Sequence, residues 1–241
     1  MIIDVHAHLE LEESDENRNE VLKRAEEAGV KIIICNGIDP KNNRKILELS
    51  KKHSLIKAAL GFYPCECDKV SKEEFEKELK FIKKNKKKII AIGEIGLDKK
   101  WDNDFDRQQE CFRELISLAQ KLDIPIIVHS RMAEEKAIEI MEEMNVKKAV
   151  MHCFSGKKKF VQRCIDNKWS LTIPGDIIRG QQFQEMAKMI PLKQILTETD
   201  FPVKKFEPAD ISESLKKIAE IKGLDIQELS NIIFQNYQRL F

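Results

Sequence analysis

Residues 87–130 hold the pattern that decides the fold: "KKIIAIGEIG" (87–96), "QQECFRELISLAQKL" (108–122) and "PIIVHS" (125–130). The outer pieces are near-continuous apolar runs rich in β-branched residues, as expected of strands buried on both faces. The middle piece carries apolar residues at helical spacing and reads as an amphipathic helix. Strand, helix and strand in this order form the crossover unit that joins parallel strands.

The same alternation extends outward in both directions. Upstream, "MIIDVH" (1–6), "KIIICNG" (31–37) and "LIKAALGF" (55–62) alternate with the helical segments "EVLKRAEEAG" (20–29), "RKILELSKK" (44–52) and "EEFEKELKFIKK" (73–84). Downstream, "KAVMHCF" (148–154), "WSLTIPG" (169–175) and "QILTETD" (194–200) follow, with "EEKAIEIMEEM" (134–144), "KFVQRCIDNK" (159–168) and the short "QQFQEMAKM" (181–189) between them. Eight strands, each with a helical stretch behind it, predict an α/β fold closed as a (β/α)8 TIM-type barrel rather than an open sheet. "DIQELSNIIFQNYQRLF" (225–241) reads as a closing C-terminal helix. No Pro/Gly/Ser linker or shift in composition divides the chain, so residues 1–241 read as a single barrel domain.

Composition narrows the function classes. With 42% hydrophobic and 34% charged residues, the chain has the balance of a soluble globular protein. It has no apolar run long enough to span a membrane and no basic-then-apolar leader. A net charge of +1 announces no bulk affinity for nucleic acid, so any such affinity must come from local placement of Lys and Arg. Six cysteines without a C-x-x-C pair read as reduced thiols, and the expected compartment is cytoplasmic. Cys65 and Cys67 form a C-x-C pair that reads as two plain thiols rather than metal ligands.

A barrel of this type gathers its chemistry at the C-terminal ends of the strands. His6 and His8 close the first strand, and their i, i+2 spacing turns both to one face. Glu94 closes the fourth strand, His129 the fifth, His152 the sixth and Asp200 the eighth. Only His53, of the five histidines, has an ordinary surface address. Each residue alone has a structural explanation. Together they put four imidazoles and two carboxylates at one mouth, which is what a two-metal site requires.

The set "DVHAHL", "GEIGLD", "VHSR", "HCFSG" and "ETD-x-P" resembles the TatD family of metal-dependent deoxyribonucleases, within the amidohydrolase superfamily, across essentially the whole chain. The resemblance implies a barrel holding two divalent ions. His6, His8, Glu94 and Asp200 would surround one, while Glu94 would bridge to a second held by His129 and His152. Glu94 and Asp200 would be the catalytic carboxylates, Asp200 orienting a metal-activated water and taking its proton. Imidazole-rich ligation favours Zn²⁺, with Mg²⁺ or Mn²⁺ as alternatives during turnover. The implied substrate is DNA, single-stranded or frayed. The sequence departs from the family after the third strand, where "GFYPCEC" puts Tyr63 and Cys65 where relatives often carry histidine. After the last strand, "DFPVKKFEPADI" retains only Glu207 and Pro208 of the family's usual segment.

Around the mouth, Arg131, the run Lys157, Lys158 and Lys159, and Lys204 are the expected phosphate-binding residues. Lys99, Lys100 and Lys205 share that rim, which Asp102, Asp104 and Asp106 interrupt. The cations of the 157–159 run sit at the start of a helix, where they oppose its dipole and call for an anionic partner. Lysines 83–84 and 86–88 precede the fourth strand and belong to the opposite mouth. Two other readings compete with a nuclease: a hydrolase of a small ester, amide or phosphoester on the same site, and a binding protein without catalysis. The complete ligand set argues against the last.

Overall fold

The computed structural model describes residues 1–101 and 104–241. Its eight strands are β1 (Ile2–Ala7), β2 (Val30–Asn36), β3 (Ile56–Leu60), β4 (Ala91–Gly96), β5 (Ile126–His129), β6 (Ala149–Met151), β7 (Ser170–Pro174) and β8 (Ile195–Glu198). They pair in parallel and in sequence order from β1 to β8. The seam between β8 and β1 is joined by side chains within the strands and by backbone hydrogen bonds at their ends, Asp200 N to His6 O at 2.9 Å and His8 N to Phe201 O at 2.6 Å. Thr197 Oγ1 donates to Ile3 O at 2.7 Å, and the buried Asp4 carboxylate accepts from Thr199 Oγ1 at 2.5 Å and Thr199 N at 3.1 Å. This is a single-domain (β/α)8 barrel of TIM type.

Nine α-helices occur among the described residues: α1 (Asp15–Glu27), α2 (Pro40–Lys52), α3 (Lys72–Lys84), α4 (Phe105–Leu122), α5 (Glu134–Glu143), α6 (Lys158–Asp166), α7 (Gln181–Met189), α8 (Ile211–Lys222) and α9 (Ile226–Leu240). Local chemistry sets many of their starts. Ser14, Asp39, Ser71 and Asp104 each cap a helix by accepting a backbone N–H, and Ser71 with Glu74 completes a capping box. Substituting such a cap by alanine typically costs about 1 kcal/mol. Asp104, one of the acidic residues expected to interrupt the rim, is thus a helix cap, while Asp102 lies outside the described residues.

The core follows from the strand pattern. All six residues of β4 and all five of β7 are buried, with amphipathic helices covering the outside. Phe112, Leu115 and Ile116 of α4 are among the side chains it buries. Each such side chain contributes roughly 1.5–3 kcal/mol of transfer free energy.

Some elements differ in extent from the sequence reading. Strand β4 starts at Ala91, where it registers with Ala59, and the upstream lysines form a short 3₁₀ turn, Lys86–Lys88. None of these three lysines is buried, so nothing draws them into the sheet. Strand β6 is only three residues long, and His152 follows it in a turn. No helix among the described residues is long and apolar enough to cross a membrane. No disulfide joins the six cysteines among those residues.

Candidate metal centre

The end of β1 brings His6 and His8 to the same side, as strand geometry requires, with their Nε2 atoms 3.0 Å apart. Glu94 reaches them from β4. Its Oε2 lies 3.4 Å from His6 Nε2 and 3.4 Å from His8 Nε2. Its Oε1 turns the other way, 2.8 Å from His129 Nδ1 and 3.9 Å from His152 Nε2. Asp200 Oδ1 approaches the β1 pair at 3.7 Å and 3.6 Å. Three donor clusters result among the described residues: His6–His8–Asp200 and Glu94–His129–His152, with the Glu94 carboxylate between them, and His6–His152–Glu198.

Backbone features allow this convergence. A Cβ on Gly61 would lie 2.5 Å from backbone atoms of Gly93 and Glu94. At Gly96 the backbone adopts φ +140°, and a Cβ there would sit 1.9 Å from His129 O. Glycine is therefore required on both sides of Glu94 for neighbouring strands to approach. Asp200 adopts the left-handed conformation, φ 59°, unusual for a residue with a side chain. Its N–H donates to His6 O and its carbonyl accepts from Lys204 N, both at 2.9 Å.

The charges are strongly coupled. Burial opposes ionisation of Glu94, but the surrounding His6, His129 and His8 outweigh it and hold the carboxyl well below its usual range. Burial, reinforced by the nearby His152, lowers His6. For His129, burial is overcome by the carboxylates of Asp98 and Glu94, which raise the ring to about 9. Burial pushes Asp4 up to about 7 against the hydrogen bonds it accepts from Thr199 and His6 N.

The donor set fits divalent cations. Four imidazole nitrogens converge on two carboxylates in a buried place, with two ring nitrogens 3.0 Å apart. Lone pairs facing one another at that distance need a proton or a cation between them. Nitrogen and carboxylate ligands in this mixture suit Zn²⁺, Mn²⁺ and similar ions.

Three functional candidates went unrecognised in the sequence reading. The outward nitrogens of His8, His129 and His152 meet Glu10 Oε1 at 3.2 Å, Asp98 Oδ2 at 3.0 Å and Glu198 Oε2 at 2.7 Å. The same Asp98 oxygen accepts a hydrogen bond from Tyr63 Oη at 2.5 Å, and Tyr63 Oη also lies 3.5 Å from His129 Nε2. Spacing offers a clue for Glu198 alone, which closes β8 two residues before Asp200. Glu10 lies in a 3₁₀ turn, Leu9–Leu11, where strand period gives no signal.

His8, Glu94, His129, His152 and Asp200 line a cavity of about 570 Å³ together with Tyr63, Arg131, Phe183, Val203 and Lys204. Of the expected phosphate-binding residues, Arg131 and Lys204 are therefore at this cavity. The Lys204 ammonium also meets the Asp176 carboxylate and lies 3.1 Å from Cys153 Sγ. Lys157 and Lys158 instead line a separate groove of about 560 Å³ between α6 and α7. The anionic partners that the 157–159 run calls for are on neighbouring helices: Lys158 pairs with Glu185 at 3.2 Å and Lys159 with Glu135 at 3.5 Å. Cys65 and Cys67 are buried in a 3₁₀ turn, and neither belongs to a metal-capable cluster among the described residues.

Comparison with known proteins places this geometry among relatives. Residues 3–241 match the family model described as "TatD related DNase". The chain is 32% identical to an uncharacterized metal-dependent hydrolase of Bacillus subtilis, YabD, over 100% of this chain and 99% of that one. It is 29% identical to human deoxyribonuclease TATDN3, over 100% and 94% of the two chains. The crystal structure of YJJV, a TatD homologue from Escherichia coli, superimposes with a TM-score of 0.92 at 27% identity, covering 100% of this chain and 97% of that one.

Proposed function

Because this chain belongs to the TatD family and is a metal-dependent hydrolase, we propose that it cleaves phosphodiester bonds of DNA at single-stranded or frayed ends. One observation carries the reading: the two oxygens of Glu94 are divided between two donor clusters, as a carboxylate bridging two cations would be. His6, His8, Glu94 and Asp200 would hold one divalent ion, and Glu94, His129 and His152 the other. When bound, such ions make water nucleophilic at neutral pH and polarise a phosphoryl oxygen.

The chain's own residues supply the rest. Asp200 accepts the proton of the attacking water, and its left-handed backbone aims the carboxylate inward beside His6 and His8. Arg131 and Lys204, at the cavity wall, neutralise phosphate oxygens next to the scissile bond. Lys157 and Lys158 of the 157–159 run line the separate groove, where they meet only a strand long enough to leave the cavity. Zn²⁺ suits the imidazoles, with Mg²⁺ or Mn²⁺ competent in turnover. The cysteines, none in a disulfide among the described residues, support a cytoplasmic protein.

A second reading, hydrolysis of a small ester, amide or phosphoester, has its own support. Lys204 already meets Asp176, and the cavity is of small-ligand size. A panel of single-stranded DNA, RNA and simple phosphoesters, assayed with each metal, separates the two. Single-stranded DNA as the best substrate, with Asp200→Asn inactive, supports the nuclease. Turnover of small esters alone replaces it with the second reading.

A further inference from the structure

We propose that Glu10, Asp98 and Glu198 are positioning residues, each gripping one histidine of the centre by the ring nitrogen that faces away from Glu94. The inference rests on the two-ion reading of the centre but on no particular substrate.

Three histidines share one arrangement through different atoms. His8 and His152 turn Nε2 inward and hold Nδ1 against a carboxylate, at 3.2 Å from Glu10 and 2.7 Å from Glu198. His129 is reversed. It turns Nδ1 toward Glu94 at 2.8 Å and holds Nε2 against Asp98 at 3.0 Å. An imidazole that holds a cation is neutral and has one N–H; the outward carboxylate accepts that N–H, which leaves the inward nitrogen's lone pair for the cation. At His129 the two ring nitrogens exchange roles, and a carboxylate still faces the outward one.

These carboxylates are costly to place. Glu10 is 1% exposed and Asp98 and Glu198 are fully buried, and a buried carboxylate needs a partner. Asp98 is the most firmly held. It accepts hydrogen bonds from Tyr63 Oη at 2.5 Å and from Lys100 N at 2.8 Å. The Gln108 side chain accepts from its N–H at 2.9 Å and donates to its carbonyl at 3.0 Å. His6 is the internal contrast: its Nδ1 has no hydrogen-bond partner among the described residues. That ring is held by stacking on His152, with centroids 3.5 Å apart and planes at 16°.

The pairing is site-selective, which makes it testable. Asp98 and Glu198 stand behind the histidines on one side of Glu94, and Glu10 behind one on the other. Metal-stripped protein titrated with Zn²⁺ by calorimetry should show two binding steps. Asp98→Ala should weaken one step about 10–100-fold, the usual cost of losing such a partner, and leave the other within about twofold. Glu10→Gln should weaken the opposite step. Asp98→Asn, which keeps the shape and an acceptor oxygen, should fall between wild type and Asp98→Ala, and it carries the test if the alanine variant fails to fold. In the zinc-loaded protein, ¹⁵N NMR should find the His129 Nε2 proton protected from exchange, with protection lost in Asp98→Ala. Unchanged affinities in folded variants, or equal weakening of both steps, would overturn the proposal. Selective weakening would stand even if DNA proved not to be a substrate.

Discussion

The two halves of the metal centre are built differently. In the half containing His6, His8 and Asp200, both histidines come from β1 and its following turn, and the carboxylate from the neighbouring end of β8. In the other half, His129 and His152 come from two successive strand ends, and each leans on a buried carboxylate. In the first half, spacing along β1 sets the two histidines, and Asp200 is brought to them across the seam that Asp4 and Thr199, 195 residues apart, hold together. In the second half the histidines come from different strands, and each leans on a carboxylate from elsewhere in the chain: 31 residues separate Asp98 from His129, and 46 separate His152 from Glu198. A donor set can thus be specified by spacing or by tertiary support, and this centre uses both.

The sharpest way to separate the halves is to disable the one that carries the proposed base. Asp200→Asn should cut turnover at least ~100-fold, since an amide cannot take the water's proton near neutral pH. Circular dichroism and melting should show the fold retained. A variant keeping more than about a tenth of wild-type kcat would remove Asp200 from that role.

The next contrast is stoichiometric. His129→Ala should abolish one of two metal-binding steps and His6→Ala the other, each leaving about one ion per chain after reconstitution and dialysis. Loading should also stabilise the fold. With metal at about 100 times Kd, each occupied site adds about 2.7 kcal/mol, read as a rise in melting temperature that a chelator reverses.

A pH experiment addresses the second half. The Asp98 and Glu94 carboxylates overcome burial and raise His129 to about 9, so its Nδ1 must shed a proton to become a ligand. Affinity at that step should therefore rise with pH up to about 9 and level off above it. A flat profile between pH 7 and 9 would show that no such proton is displaced.

The smallest effect is expected at the rim. Replacing lysines 157–159 with glutamine should raise KM for a long oligonucleotide severalfold at most and flatten its salt dependence, with a small phosphodiester unaffected. Equal losses on both substrates would assign the run to the fold instead.

How much was legible follows from the range of each interaction. The alternation of apolar runs and amphipathic segments is local, and even the short "QQFQEMAKM" segment is a helix, α7. His6, His8, Glu94, His129, His152 and Asp200 could be brought together from sequence because a barrel places every strand end on one rim. Their proximity follows from that topology; their roles do not. Asp98 was hidden because its value depends on how β4's exit loop folds back on β5. Lys158 and Lys159 looked unpartnered because Glu185 and Glu135 are 27 and 24 residues away, on helices whose rotation no pattern of residues specifies.

Whether Glu94 bridges two cations is tested directly by anomalous diffraction from crystals grown with Mn²⁺ or Zn²⁺. Two peaks about 3.5–4 Å apart should flank the Glu94 carboxylate. One peak would lie beside His6, His8 and Asp200, and the other beside His129 and His152. A single fully occupied peak under saturating metal, or two peaks with Glu94 touching only one, would contradict it.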